Sequence, residues 1–148
     1  MNSHPYLRAF LAGAFVPTLI LPLILCAFVI VRLALEFPFP IERGLVFPMG
    51  LVPLLWALWN MLWLGSRSRT RIPIGVHGAL LPLVLVPCGA LAGTALGVLA
   101  LGSQGVTWFH TLHVPYTWIA PVFCGALIGY YLAWKYIVGF VNRTLGIA

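Results

Sequence analysis

"GAFVPTLILP", residues 13–22, is echoed by "GALLPLVLVP", residues 78–87, with Gly, Ala, Pro and Pro at identical offsets. How these two stretches are read decides the fold. Each lies in an apolar run long enough to cross the roughly 30 Å of bilayer hydrocarbon as a helix. Two further runs qualify, so the expected spans lie near 9–31, 44–64, 74–101 and 118–138. The first is too long and too intact for a signal peptide and reads as a retained helix.

Composition agrees with a bilayer setting. The 148 residues are 62% hydrophobic and 7% charged, with a mean hydropathy of +1.06. A soluble domain carries about 25% charged residues, so this chain has too few to solvate a surface. There is no Asp, and the only Glu residues are Glu36 and Glu42. Cys26, Cys88 and Cys124 all fall in apolar runs, where they read as small packing residues with no disulfide framework.

Lys and Arg set the expected orientation. Four spans put both termini and the middle connection on one side, with Arg8, Arg67, Arg69, Arg71, Lys135 and Arg143; Arg32 and Arg43 fall on the other. The bias places both termini in the cytoplasm. The net charge of +6 is therefore a topology signal, with some attraction of "RSRTR" for anionic lipid. Three arginines in a tight loop are not a basic face with interleaved aromatics, so no nucleic-acid partner is expected. The connections are short and none is a domain linker, so residues 1–148 form a single transmembrane domain.

The prolines come in pairs, one per span: Pro17/Pro22, Pro48/Pro53, Pro82/Pro87 and Pro115/Pro121. A proline inside a helix removes an N–H and frees the carbonyl four residues earlier, here those of Gly13, Thr18, Gly78 and Leu83. Such carbonyls must face protein, water or a ligand. With the echo between residues 13–22 and 78–87, they give the expected fold: an all-α, up-down-up-down bundle of four proline-kinked helices. The two helical hairpins are expected to form a parallel repeat. Gly89, Gly93 and Gly97, with Gly125 and Gly129, form small-residue rows expected to pack against a neighbouring helix or a second subunit.

Candidate chemistry is sparse. Trp56, Trp59, Asn60 and Trp63 share one helical face in "WALWNMLW". They suit an apolar ligand, together with Gly13 and Gly78; the competing reading is an interfacial aromatic belt with Asn60 as interhelical glue. His110 and His113, three apart and sharing a face if helical, could join Glu36 and Glu42 around a divalent metal. His77 could serve a haem only with a partner at equal depth, and His4 alone lies on its side, so no cofactor is identified. Lys135, between Trp134 and Tyr136, reads as a snorkelling anchor, and Arg32 is spaced to pair with Glu36. No span contains an acidic residue, which argues against proton-coupled transport. Without Asp, serine–histidine–aspartate chemistry is excluded, and carboxylates for two-metal hydrolysis are missing.

The favoured expectation is a non-enzymatic integral membrane protein that binds a lipid or apolar ligand or serves as a subunit of a membrane assembly, as a homo-oligomer or with a partner protein. The alternatives are a passive channel or uncoupled transporter lined by proline-freed carbonyls, and a metal-dependent membrane enzyme using the outer histidines.

Overall fold

A computed structural model describes residues 4–36 and 50–147. The chain is mostly helical. Helix α1 spans Pro5–Leu35, α2 Val52–Thr70, and α3 Ile74–Ala95. A three-stranded sheet follows, made of β1 (Leu99–Leu101), β2 (Gly105–Trp108) and β3 (Leu112–Pro115). The last helical stretch comprises α4 (Tyr116–Leu132), a π-helical segment (Ala133–Val138) and α5 (Gly139–Thr144). Three helices are long and apolar enough to cross a membrane: Pro5–Leu35, Ile74–Ala95 and Tyr116–Thr144. The expected span at 44–64 begins outside the described residues. Its described portion continues past 64 into the polar turn that carries Arg67 and Arg69.

Local chemistry explains the ends of these elements. Pro5 and Pro53 stand in the first turns of α1 and α2, where a missing N–H costs nothing. Pro53 therefore frees no carbonyl inside the helix, and Pro115 precedes α4 in extended conformation. Among the described residues, only Pro17/Pro22 and Pro82/Pro87 form pairs within a helix; Pro48 lies outside the described residues. The expectation of one intrahelical pair per span is corrected accordingly.

Helix α3 stops at Ala95 rather than at 101. Gly97 adopts φ 68°, its N–H bonds the Thr94 carbonyl at 3.1 Å, and Val98 N–H bonds the Gly93 carbonyl at 2.9 Å. This is a Schellman termination. Gly146 ends α5 in the same way, at φ 68°, with bonds from Gly146 to Arg143 and from Ile147 to Asn142.

The connection from α3 to α4, expected to be irregular or a short helix, is antiparallel sheet in the order β1-β2-β3. Leu99 pairs with Trp108, and Trp108 with Leu112. Val106, Thr107, Trp108 and Val114 suit a pleated surface. The all-α expectation therefore needs this small sheet added to it.

Helices α1 and α2 pack antiparallel: Gly65 faces Tyr6 and Gly13 faces Trp56 and Ala57. Helix α3 runs antiparallel to the last helical stretch: Gly75 meets Tyr131 of α4 and Lys135 of the π-helical segment, Gly78 meets Trp134 of that segment, and Leu83 and Pro87 further on face the start of α4. Among the described residues of the helices, burial is confined to one end of this arrangement, here termed proximal, where α1 begins and α5 finishes. The buried residues of α1 are Ala9, Ala12, Gly13, Val16 and Pro17; those of α3 are Gly75, His77, Gly78, Leu81 and Pro82. Four of the five buried positions on each helix coincide at the spacing of the echo, Ala12 matching His77, Gly13 Gly78, Val16 Leu81 and Pro17 Pro82, while Ala9 and Gly75 have no buried counterpart. No residue of α4 is buried, whereas Trp134, Val138, Gly139 and Asn142 beyond it are.

Candidate functional site

The two helix pairs meet at the proximal end along a seam of aromatic and amide side chains. Gly13 allows the closest approach of α1 and α2: a Cβ there would stand 2.6 Å from the Trp56 carbonyl oxygen and 2.7 Å from Ala57 Cα. Gly78 plays the matching part in α3, where a Cβ would overlap Cβ and Cγ of Trp134. The Trp56 and Trp134 rings lie face to tilted face, 5.5 Å between centroids.

Polar groups close the seam. Asn60 and Asn142, both fully buried, exchange reciprocal amide hydrogen bonds of 2.9 and 3.0 Å, and Asn60 Nδ2 also donates to the Ala9 carbonyl at 2.8 Å. Trp59 and His77 form a second reciprocal pair. The indole Nε1–H donates to the His77 carbonyl at 2.8 Å, the imidazole Nε2–H donates to the Trp59 carbonyl at 3.0 Å, and the rings stack at 4.9 Å. Trp56 Nε1 donates to Tyr130 Oη at 3.4 Å. Arg8 and Arg67 hold the chain after α5 by donating to the Leu145 and Ile147 carbonyls, respectively.

The π-helical segment aligns the last helical stretch with this seam. Tyr130, Trp134, Val138 and Asn142 recur every fourth residue. An α-helix has about 3.6 residues per turn, so such a row would drift around its surface; the wider π turn keeps it on one face. Among buried side-chain polar atoms of the described residues, Trp134 Nε1 has no hydrogen-bond partner.

Beyond Pro82 the arrangement opens. A groove of about 450 Å³ lies between the distal halves of α3 and α4, lined by Leu83, Val86 and Pro87 from α3 and by Tyr116, Ile119, Ala120 and Phe123 from α4. The lining is almost wholly apolar. The sheet lies at the groove's distal end: Tyr116 Oη donates to the Gly102 carbonyl at 2.8 Å, and Tyr116 N–H to the Gln104 carbonyl at 3.2 Å.

The residues singled out in the sequence are placed as follows. Trp56, Trp59 and Asn60 belong to the seam, while Trp63 donates to the Ile72 carbonyl at 3.4 Å and carries the Arg67 guanidinium over its ring. His110 occupies the β2–β3 turn at φ 58°, and His113 lies in β3, its Nδ1 3.3 Å from Thr107 Oγ1. Glu36 caps the distal end of α1, and Glu42 falls outside the described residues. No group of three or more His, Cys, Asp or Glu comes together among the described residues. A Cβ on Gly89, Gly125 or Gly129 would meet nothing within 4 Å, and one on Gly93 would meet Leu99 at 3.1 Å.

The groove is what residue-by-residue reading missed. Its signal was the second proline of the later echo, Pro87, with Leu83 four residues before it. Compared with known protein families, curated proteins and solved structures, the chain matches none.

Proposed function

We propose that the chain is a non-enzymatic integral membrane protein that holds a lipid chain or similar apolar ligand in the groove between α3 and α4. The observation carrying this reading is the groove itself. Its volume falls within the roughly 300–1,000 Å³ of small-molecule sites, and its lining offers almost wholly apolar contact. The proximal seam is the less suitable place, because the Trp56, Trp59 and Trp63 indole N–H groups and the Asn60 amide already have protein partners. For the same reason a passive channel ranks second: side chains fill the proximal half.

The membrane setting we propose has four spans, α2 with the segment before it supplying the second. Both termini face the cytoplasm of the cell membrane, and the helix pairs form a parallel repeat. Coincident burial at matching positions of α1 and α3 supports the repeat. Exposed Trp108, Tyr116 and Trp118 at the distal end, and Tyr6 and Tyr136 at the proximal end, fit two interfacial belts. Trp118 and Tyr136 are 18 residues apart, roughly 27 Å along a helix, close to the hydrocarbon thickness. Gly89, Gly125 and Gly129 remain available for a second subunit or a membrane-complex partner.

Photo-crosslinking with a diazirine-bearing phosphatidylcholine tests the groove. We expect adducts concentrated on Ile119 and Phe123, reduced severalfold by Ala120→Phe and unchanged by Gly125→Ala. Adducts spread evenly along α4 and indifferent to Ala120→Phe would refute the site.

A further inference from the structure

Lys135 is exposed within the π-helical segment, with its ammonium 5.5 Å from the Tyr131 ring centre and 5.2 Å from that of Tyr136. It stands beside the start of α3, since a Cβ on Gly75 would lie 3.1 Å from Lys135 Cβ and 2.9 Å from Tyr131 Cε2. Arg143 approaches the same region: its Nη1 is 3.7 Å and Ile74 Cγ2 is 3.6 Å from the Cβ position of Gly139. Two cations and the Tyr131 phenol therefore gather around Ile74 and Gly75 at the proximal end, with the Tyr136 ring on the other side of the Lys135 ammonium.

This end lacks a carboxylate side chain among the described residues. Arg8, Arg67, Arg69, Arg71, Lys135 and Arg143 belong to it, whereas Glu36 closes the other end of α1. Glu36 follows Arg8 by 28 residues, roughly 42 Å along a helix, well beyond a Debye length. Arg8 and Arg67 direct donors to the backbone carbonyls of Leu145 and Ile147. Lys135 has phenol rings on two sides, and aromatic rings attract a cation without cancelling its charge.

We infer that Lys135, Tyr131, Tyr136 and Arg143 form a headgroup site for an anionic phospholipid of the leaflet at the proximal end. The phosphate diester meets the ammonium and guanidinium, the phenolic hydroxyls donate to its oxygens, and the acyl chains run down the exposed face of the last helical stretch past Leu132 and Ile128. A snorkelling lysine alone would favour the interface without selecting a headgroup, whereas this cluster selects by charge and position. The site is separate from the α3–α4 groove and stands or falls independently of it.

The test uses the full chain in nanodiscs containing equal phosphatidylcholine and phosphatidylglycerol, with retained lipids counted by native mass spectrometry after transfer to detergent. The wild type should retain phosphatidylglycerol preferentially. Lys135→Gln should weaken that preference about fivefold, the change that ~1 kcal/mol per basic residue gives. Lys135→Arg should preserve it, and Arg69→Gln, an equal loss of charge in the last turn of α2, should leave it intact. Excess inorganic phosphate should not displace the lipid. Equal effects of Lys135→Gln and Arg69→Gln, an unchanged preference in Lys135→Gln, or displacement by inorganic phosphate would each overturn the inference.

Discussion

Below Pro17 in α1 and Pro82 in α3, helices touch through glycine and exchange reciprocal hydrogen bonds; above these prolines, the same helices present Leu19, Leu23, Ile30, Leu83, Val86 and Leu91 to their surroundings. The difference is not one of hydrophobicity, since both halves are apolar. It lies in where backbone can meet backbone or a large ring. In a bilayer, apolar side chains gain little by leaving lipid for one another, so close packing and interhelical hydrogen bonds decide which surfaces associate. The proximal half has both. The distal half has glycines too, but a Cβ on Gly89 or Gly125 would meet open space.

The strongest way to break this comparison is to add one methyl group on each side of it. Gly78→Ala forces a Cβ into Trp134 and should lower stability by about 3 kcal/mol, the upper end of overpacking costs. Gly13→Ala, against α2 backbone, should approach it, and Gly125→Ala should be nearly silent. Thermal unfolding in detergent measures all three. Comparable melting temperatures for Gly78→Ala and Gly125→Ala would remove the distinction between the halves.

Next in size is the amide pair. Asn60→Leu leaves the buried Asn142 amide short of a partner and should cost about 1–2 kcal/mol. Asn60→Leu with Asn142→Leu should cost less than the two single changes combined, because neither amide is then stranded. Strict additivity in that double-mutant cycle would mean the pair does not join the helix hairpins.

The smallest effect sharpens the boundary of the distal half. Gly97→Ala places a side chain at φ 68° and should cost about 1 kcal/mol, the strain of a left-handed residue, without altering oligomeric state. A changed oligomeric state at constant stability, read by mass photometry, would show Gly97 acting as a packing surface instead of a helix stop.

Gly97 also illustrates what the chain leaves legible. In "GALAGTALG" the glycines repeat every fourth residue, and that pattern fits a packing row as well as a row whose last member ends the helix. Local hydrogen bonding decides between them, because Gly alone adopts φ 68° without strain. The sheet escaped notice because its strands are three and four residues long, too short for alternation to register. The groove escaped because its two walls come from segments some thirty residues apart. Trp56 and Asn60 were legible as unusual residues on one face, but their partners, Tyr130 and Asn142, lie 74 and 82 positions away.

By itself the sequence determined that this chain has segments long and apolar enough for a bilayer, and how Lys and Arg are shared out among the stretches between them. These follow from composition and run length, which transfer free energy reads residue by residue. It also determined the matched glycine–proline spacing of residues 13–22 and 78–87, since covalent order alone sets it. Only the tertiary structure decided that Gly13 and Gly78 meet tryptophan-bearing helices, that Asn60 finds Asn142, and that the buried residues of α1 and α3 stop at Pro17 and Pro82, with a groove beyond Pro82. Contacts of that kind depend on the distance of closest approach between elements far apart in the chain. That distance is set by which small residue comes to face which large one when the helices dock.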